Sequence, residues 1–229
     1  MRVAGLRGVF ADEAAEHAIL MMLALARDLP ELLERQRVRE WAQRPVGKLA
    51  GRTVAVLGLG EIGRRVAKRA SALEMRVLGL RRRRGPAPHV ERVFHEDELH
   101  ALLAEADFAV VTLPLTPATR RVLDGAALAA LPRGACVVHL SRGGVLDEAA
   151  LRDALERGHL GGAALDVLED EPLEPQSPWW DLPRTIITPH LAGFGRSYVE
   201  RAVEAFAENL RRLEAGEALL GLVDRDAGY

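Results

Sequence analysis

Residues 53–63 read Thr-Val-Ala-Val-Leu-Gly-Leu-Gly-Glu-Ile-Gly, an apolar run that stops at three glycines spaced G-x-G-x-x-G. The first glycine, Gly58, suits a tight turn, Gly60 lets backbone approach a pyrophosphate, and Gly63 lets a helix pack close on the strand. Alone the spacing is weak. Here an amphipathic stretch, Ile62–Leu73, follows the turn, and a second apolar run, Arg76–Leu80, follows that stretch. Strand, turn, helix and strand in this order are the context a dinucleotide site requires. The amides of Gly58, Gly60, Glu61, Ile62 and Gly63 then face phosphate at a helix N-terminus.

Outward from this unit, further strands are expected at Phe108–Leu113, Ala135–Leu140, Ala163–Val167 and Thr185–Thr188, separated by stretches such as Glu96–Ala106. Continuous apolar strands alternating with helices predict a doubly wound parallel α/β sheet covered on both faces, a Rossmann-type domain. Before it, Asp12 is a plausible N-cap for a helix to about Arg27; Asp28-Leu29-Pro30 interrupts, and a more polar helix runs to about Trp41. Arg44-Pro45-Val46-Gly47 reads as a linker, and Ser197 to about Ala215 as a long surface helix. The expected organisation is one dinucleotide-binding domain over 1–229, with 1–45 and 196–229 as flanking helices.

The second strand stops against Arg81-Arg82-Arg83-Arg84. An acid normally stands about 20 residues after the glycines and binds the ribose hydroxyls of NAD. Arg81 lies 18 residues past Gly63 and is a cation instead. An arginine there favours the 2′-phosphate of NADP, and a charge-assisted hydrogen bond contributes roughly 1.5–3 kcal/mol. Arg81 and Arg82 are therefore the expected phosphate ligands, with NADP preferred to NAD; Arg83 and Arg84 are expected to be solvated. The same cation argues against a methyltransferase binding S-adenosylmethionine, which also uses a glycine-rich turn. Against the phosphate reading stands a bias: 29 of the 31 basic residues are arginine, so clusters arise easily.

A net charge of −2 over 229 residues gives nucleic acid or anionic membrane nothing global to bind. The longest apolar run, Ala18 to Ala26, is too short to span a bilayer. A single cysteine, Cys136, excludes an internal disulfide and sits in an apolar run as a core residue. A cytoplasmic protein is expected, and no metal site is read.

Three later strands also end in reactive groups: Leu140-Ser141-Arg142-Gly143-Gly144, Asp166 to Pro172, and Thr188-Pro189-His190-Leu191-Ala192-Gly193. Ligands bind outside the carboxyl ends of parallel strands, so an arginine, an acid and a histidine are expected to converge beside the cofactor.

These residues carry a resemblance. Ala15-Glu16-His17, the glycine turn, Leu113-Pro114-Leu115-Thr116 with Thr119-Arg120, Ser141-Arg142-Gly143, Asp166-Val167 with Glu171-Pro172, Thr188-Pro189-His190 and the closing Val223-Asp224 follow in the order found in D-isomer-specific 2-hydroxyacid dehydrogenases. The chain resembles that family over essentially all of its length, and its basic stretch looks most like members that reduce glyoxylate or hydroxypyruvate with NADPH. The resemblance implies that His190 is the acid/base, Glu171 its partner, and Arg142 the group that polarises the carbonyl and binds the substrate carboxylate. Glu169 and Asp170 compete with Glu171, and the Glu-Pro register alone favours the last. The cofactor would also meet Leu113, Pro114, Thr119, Leu140, Ser141, Ala192 and Gly193, with Asp166 on the nicotinamide carboxamide. His17, His89, His95, His100, His139 and His159 lack such company. His139 stands where relatives commonly have asparagine. Of Trp179-Trp180, family members have one; the extra ring reads as packing.

Family members begin with a substrate-binding lobe of about a hundred residues, an ordinary small-domain size, which this sequence lacks. A misassigned start, a fragment or a short form would each produce that. Without the lobe the flanking helices would expose apolar surface, and the family's habit of pairing through cofactor domains implies a homodimer. Two functions follow: a 2-oxo acid reductase, or a non-catalytic NAD(P)-binding module acting in interaction or redox sensing.

Overall fold

The computed structural model describes residues 2–6 and 8–224. Seven strands form one sheet: β1 (Thr53–Leu57), β2 (Arg76–Leu80), β3 (Arg92–Phe94), β4 (Phe108–Val111), β5 (Cys136–His139), β6 (Gly162–Leu165) and β7 (Thr185–Ile187). Their order is β3-β2-β1-β4-β5-β6-β7 and every pairing is parallel. The order reverses between β1 and β4, which opens a crevice at the carboxyl ends of those two strands.

The side-chain alternation of each strand feeds two cores. In β1, Val54 and Val56 join one face while Ala55 and Leu57 join the other, all fully buried. One face is covered by α1 (Ala11–Ala26) and α3 (Glu61–Ala72), through Ala14, Ala18, Met22, Val66 and Ala70. The opposite face is covered by α4 (Leu99–Leu103), α5 (Gly125–Ala130) and α6 (Glu148–Glu156), through Leu102, Leu103, Leu128 and Leu151. Asp124 and Asp147 start α5 and α6 by accepting from the amides of Ala127 and Ala150.

The expected doubly wound sheet is the fold observed, and the differences have local causes. Phe10, not Asp12, precedes the first turn of α1; Asp12 lies inside it, where Arg65 and Arg69 of α3 hold its carboxylate below the usual range. Asp28, in the left-handed region at φ 53°, separates α1 from α2 (Leu29–Arg37), and Pro30 fits the first turn of α2 rather than breaking it. α2 ends four residues short of Trp41, which is 91% exposed. The stretch 96–106 is a 3₁₀ turn at Glu96–Glu98 leading into α4. The edge strand β3, three residues long and starting with the charged Arg92, escapes a reading based on apolar runs. Cys136 is buried, and burial pushes its thiol up to about 11. Trp179 is buried, whereas Trp180 is half exposed and donates its ring N–H to the Glu174 carbonyl.

α7 (Tyr198–Glu214) buries no residue and is expected surface helix in that sense, yet it is tethered. Glu13 pairs with Arg201, and an antiparallel bridge joins Ala4 to Leu222.

Candidate active site

The glycine turn closes the lower side of the crevice. Gly58, at φ +102°, lies in the region glycine favours. A Cβ on Gly63 would stand 1.8 Å from the Gly58 carbonyl oxygen, so α3 packs against the turn at a distance no side chain allows. At Gly60 a Cβ would meet nothing within 4 Å, so the space beside that residue is open. These are the features a pyrophosphate cradle needs, and the residues present fit a dinucleotide: open space at the N-terminus of α3, whose first-turn amides have no helical partner. Thr112 ties the far wall to the turn by donating to Gly58 O at 2.8 Å. Leu113 and Pro114 follow directly, and Thr119 folds the loop by donating to Pro114 O at 2.5 Å. Glu61 pairs with Arg64 and Arg65 on the exposed side of α3.

At the end of β2, Arg81 is not extended into solvent. Its Nη2 donates to the carbonyls of Gly85 and Pro86, at 2.8 and 2.9 Å, bracing the arginine loop, while its buried Nε has no partner. Arg82 is exposed. A cavity of about 210 Å³ opens between the ends of β2 and β3, lined by Arg81, Arg84 and His95 among others. Arg84 is exposed, as expected, and it lines this cavity together with His95. Glu98 also faces it, with one oxygen held by the His95 amide at 2.8 Å.

The loops after β5, β6 and β7 bring the reactive groups together. His190 Nδ1 is 2.7 Å from Glu171 Oε2. The other carboxylate oxygen accepts from the Leu168 amide at 3.0 Å, so Glu171 is fixed at both ends. Burial works against the Glu171 charge, but the bonds from His190 and Leu168 and the Arg142 cation outweigh it and hold the carboxyl below its ordinary value. An ionised Glu171 accepts the Nδ1 proton, which leaves Nε2 of His190 for proton exchange. Glu169 and Asp170 do not share this role: Glu169 approaches Arg121 at 3.7 Å.

Gly143 explains how Arg142 reaches the same place. A Cβ there would lie 2.2 Å from Leu168 O, so the two loops touch backbone to backbone. Arg142 is exposed and spends one N–H on Ser141 O at 2.6 Å. Beneath it, His139 is 1% exposed, with Nε2 3.2 Å from Arg142 O and Nδ1 3.4 Å from Ser141 Oγ. A carbonyl can only accept, so Nε2 carries the proton. Burial lowers the His139 pKa to about 4, keeping it neutral.

Asp166 is 3% exposed and saturated: Oδ1 accepts from Thr188 Oγ1 at 2.5 Å and from the Leu191 amide at 3.0 Å, and Oδ2 from the Ala192 amide at 2.9 Å. The sequence reading missed one participant. His17, on α1, has Nε2 3.1 Å from Thr188 Oγ1 and 3.8 Å from Asp166 Oδ1. Its one signal was its place in Ala15-Glu16-His17. Ala192 is buried, and Gly193 lies against Phe10, where a Cβ would come within 3.1 Å of the ring-bearing carbon. Among the described residues no cluster of potential metal ligands occurs, and no helix is long and apolar enough to cross a membrane.

Comparison with known proteins meets this geometry. A family model described as D-isomer specific 2-hydroxyacid dehydrogenase, NAD binding domain, matches residues 19–192. The D-3-phosphoglycerate dehydrogenase of Mycobacterium leprae is 37% identical over 217 residues, 94% of this chain and 41% of that protein. The glyoxylate reductase of Korarchaeum cryptofilum is 34% identical over 225 residues, 96% of this chain and 68% of that protein. The chain thus spans about two-fifths of the length of the first of these curated relatives. Among solved structures, a D-isomer specific 2-hydroxyacid dehydrogenase from Xanthobacter autotrophicus Py2, in complex with NADPH and MES, superposes with TM-score 0.91 at 38% identity, covering 100% of this chain and 94% of that one. The NADPH-dependent glyoxylate/hydroxypyruvate reductase of Sinorhizobium meliloti, in complex with NADP and sulfate, gives 0.90 at 32%, covering 96% and 71%.

Proposed function

The chain belongs to the D-isomer-specific 2-hydroxyacid dehydrogenase family, with an NAD(P)-binding domain, and we propose that it serves an NADP-preferring reductase of small 2-oxo acids of the glyoxylate or hydroxypyruvate kind. The observation that carries the reading is the His190–Glu171 pair under the field of Arg142, at the same sheet edge as the glycine turn. A dinucleotide held at the glycine turn would, in its reduced form, supply hydride to the carbonyl carbon. His190 gives the Nε2 proton to the carbonyl oxygen and takes it back in the reverse direction. Glu171 orients the ring and favours its charged form. The N–H groups of Arg142 not spent on Ser141 polarise the carbonyl and bind the substrate carboxylate.

The cofactor preference rests on the cavity between β2 and β3. A 2′-phosphate there would meet Arg84 and His95, with Arg81 as brace and neighbouring charge. Titrating the protein with NADPH and NADH in parallel tests this. NADPH is expected to bind tighter by about a decade or more, as one charge-assisted bond allows. Arg81→Asp and Arg84→Ala are each expected to erase that difference and spare NADH. Equal affinities in the unaltered protein sink the preference, and turnover of glyoxylate with NADPH decides between a reductase and a cofactor-binding module.

The reading extends to a cytoplasmic homodimer. The dimer is supported by the stripe Val199, Val203, Phe206, Leu210 and Leu213 along α7, all exposed. Sedimentation equilibrium giving the 25.0 kDa monomer mass at micromolar concentration would remove the dimer.

A further inference from the structure

The loop bearing His190 has little hold of its own. His190 is in the left-handed region at φ 50°, its side chain is 46% exposed, and the loop leaves the edge strand β7. Its anchors come from other elements. Asp166, after β6, accepts hydrogen bonds from the Thr188 hydroxyl and from the amides of Leu191 and Ala192. Phe10, which precedes α1, backs Gly193 and stacks on Tyr198 of α7, with ring centroids 4.7 Å apart, and Tyr198 in turn stacks on Phe194 at 4.8 Å.

From this arrangement we infer that His17 is a positioning residue for His190, fixing its loop through Thr188. The proton count assigns the direction of the bond. An ionised Asp166 only accepts, so Thr188 spends its single proton on Oδ1. The Thr188 oxygen is then left as acceptor, and the 3.1 Å contact is His17 Nε2–H donating to it. Asp166, Thr188 and His17 form a relay in which each donor has one acceptor, and a chain of this kind is stronger than its separate bonds. Burial lowers the His17 pKa, opposed by the Asp166 charge. The consequence is a mechanical link between α1, which starts 179 positions before His190, and the acid/base group. The inference rests on His190 being that group, and its test separates the two claims.

Three full-chain variants decide it: His17→Gln, which keeps an N–H near the Nε2 position, His17→Leu, which removes it, and Thr188→Val, which breaks the relay from the other side. Amide hydrogen exchange is read at Leu191 and Ala192, against Val137 and Val138 of β5 as internal references. In His17→Leu and Thr188→Val, exchange at Leu191 and Ala192 is expected to quicken by about fivefold to tenfold, the worth of one buried hydrogen bond, with the β5 amides unchanged. His17→Gln restores slow exchange. Steady-state glyoxylate reduction should show kcat lowered by a similar factor in His17→Leu and Thr188→Val, NADPH affinity held, and recovery in His17→Gln. Unchanged exchange at 191 and 192 in both His17→Leu and Thr188→Val overturns the inference, as does His17→Gln behaving like His17→Leu. If the unaltered protein has no turnover, the reductase reading falls while exchange alone decides the anchor. Should His17→Leu not fold, Thr188→Val and His17→Gln carry the same comparison.

Discussion

Glu171 touches His190 with one oxygen at 2.7 Å and the Leu168 amide with the other at 3.0 Å, so the carboxylate is clamped between the histidine loop and its own backbone. Glu171→Gln keeps the size of the side chain, removes the charge and leaves one acceptor oxygen where the carboxylate offered two. We expect kcat for 2-oxo acid reduction to fall roughly tenfold to a hundredfold, because an uncharged partner no longer favours the protonated imidazole. KM and the melting temperature should change little. A pH–rate profile measured on both proteins checks it; an unaltered profile in the variant would assign Glu171 to packing.

His139 ties stability to acidity. Its folded pKa is about 4, below the ordinary 6.5, so the unfolded chain binds more protons between those values. The stabilisation is fully present above about pH 6.5 and is lost as pH falls toward 4, on the order of 3 kcal/mol in all. His17 shifts in the same direction. Urea midpoints measured across that window should fall with acidification, and more shallowly in His139→Asn. Equal slopes would show that His139 is not buried as a neutral ring.

The three glycines of the turn should fail differently. Gly63→Ala places a methyl group where the Gly58 carbonyl oxygen stands, 1.8 Å away, and should cost about 3 kcal/mol or more of stability. Gly60→Ala adds a methyl to open space at φ −76°, so the melting temperature should hold while NADPH affinity drops roughly tenfold. Calorimetric melting paired with ligand titration separates the two. Loss of fold in Gly60→Ala would contradict the open space beside it.

Asp166→Asn swaps an acceptor for an amide donor in a site that presents hydrogen-bond donors from three residues, Thr188, Leu191 and Ala192. At least one donor then faces another, and the cost should be about 2–4 kcal/mol. Chemical denaturation measures it. A neutral substitution would mean that the relay does not form.

The sheet was legible because buried parallel strands are written as unbroken apolar runs, and β1, β2, β4 and β5 have little else in them. β3 was not, since an edge strand with one buried residue looks like a loop. The order of Arg142, Glu171 and His190 after successive strands foretold their convergence, for strand ends in a parallel sheet share one edge. His17 could not be found that way. Its partners lie 171 and 149 positions on, and nothing local distinguishes a helix histidine that reaches a threonine from one that meets solvent. Arg81 is a different case: position indicated a phosphate ligand, and what position did not show is that one nitrogen, Nη2, also braces the carbonyls of its own loop.

α1 packs on α3 at one end of its sequence reach and on β5 and β6 at the other. Its apolar face, with Met22 and Leu25 wholly or nearly covered, has no complete lid until residues beyond 160 exist. On the ribosome, that helix emerges before the strands it covers and waits for them, at about 5–20 residues per second, for several seconds or longer. During that interval an oily helix is uncovered in a chain whose sheet closes through non-local pairing, the slow kind. The protein's yield in cells should therefore depend on chaperone supply during synthesis more than the stability of the finished fold would suggest.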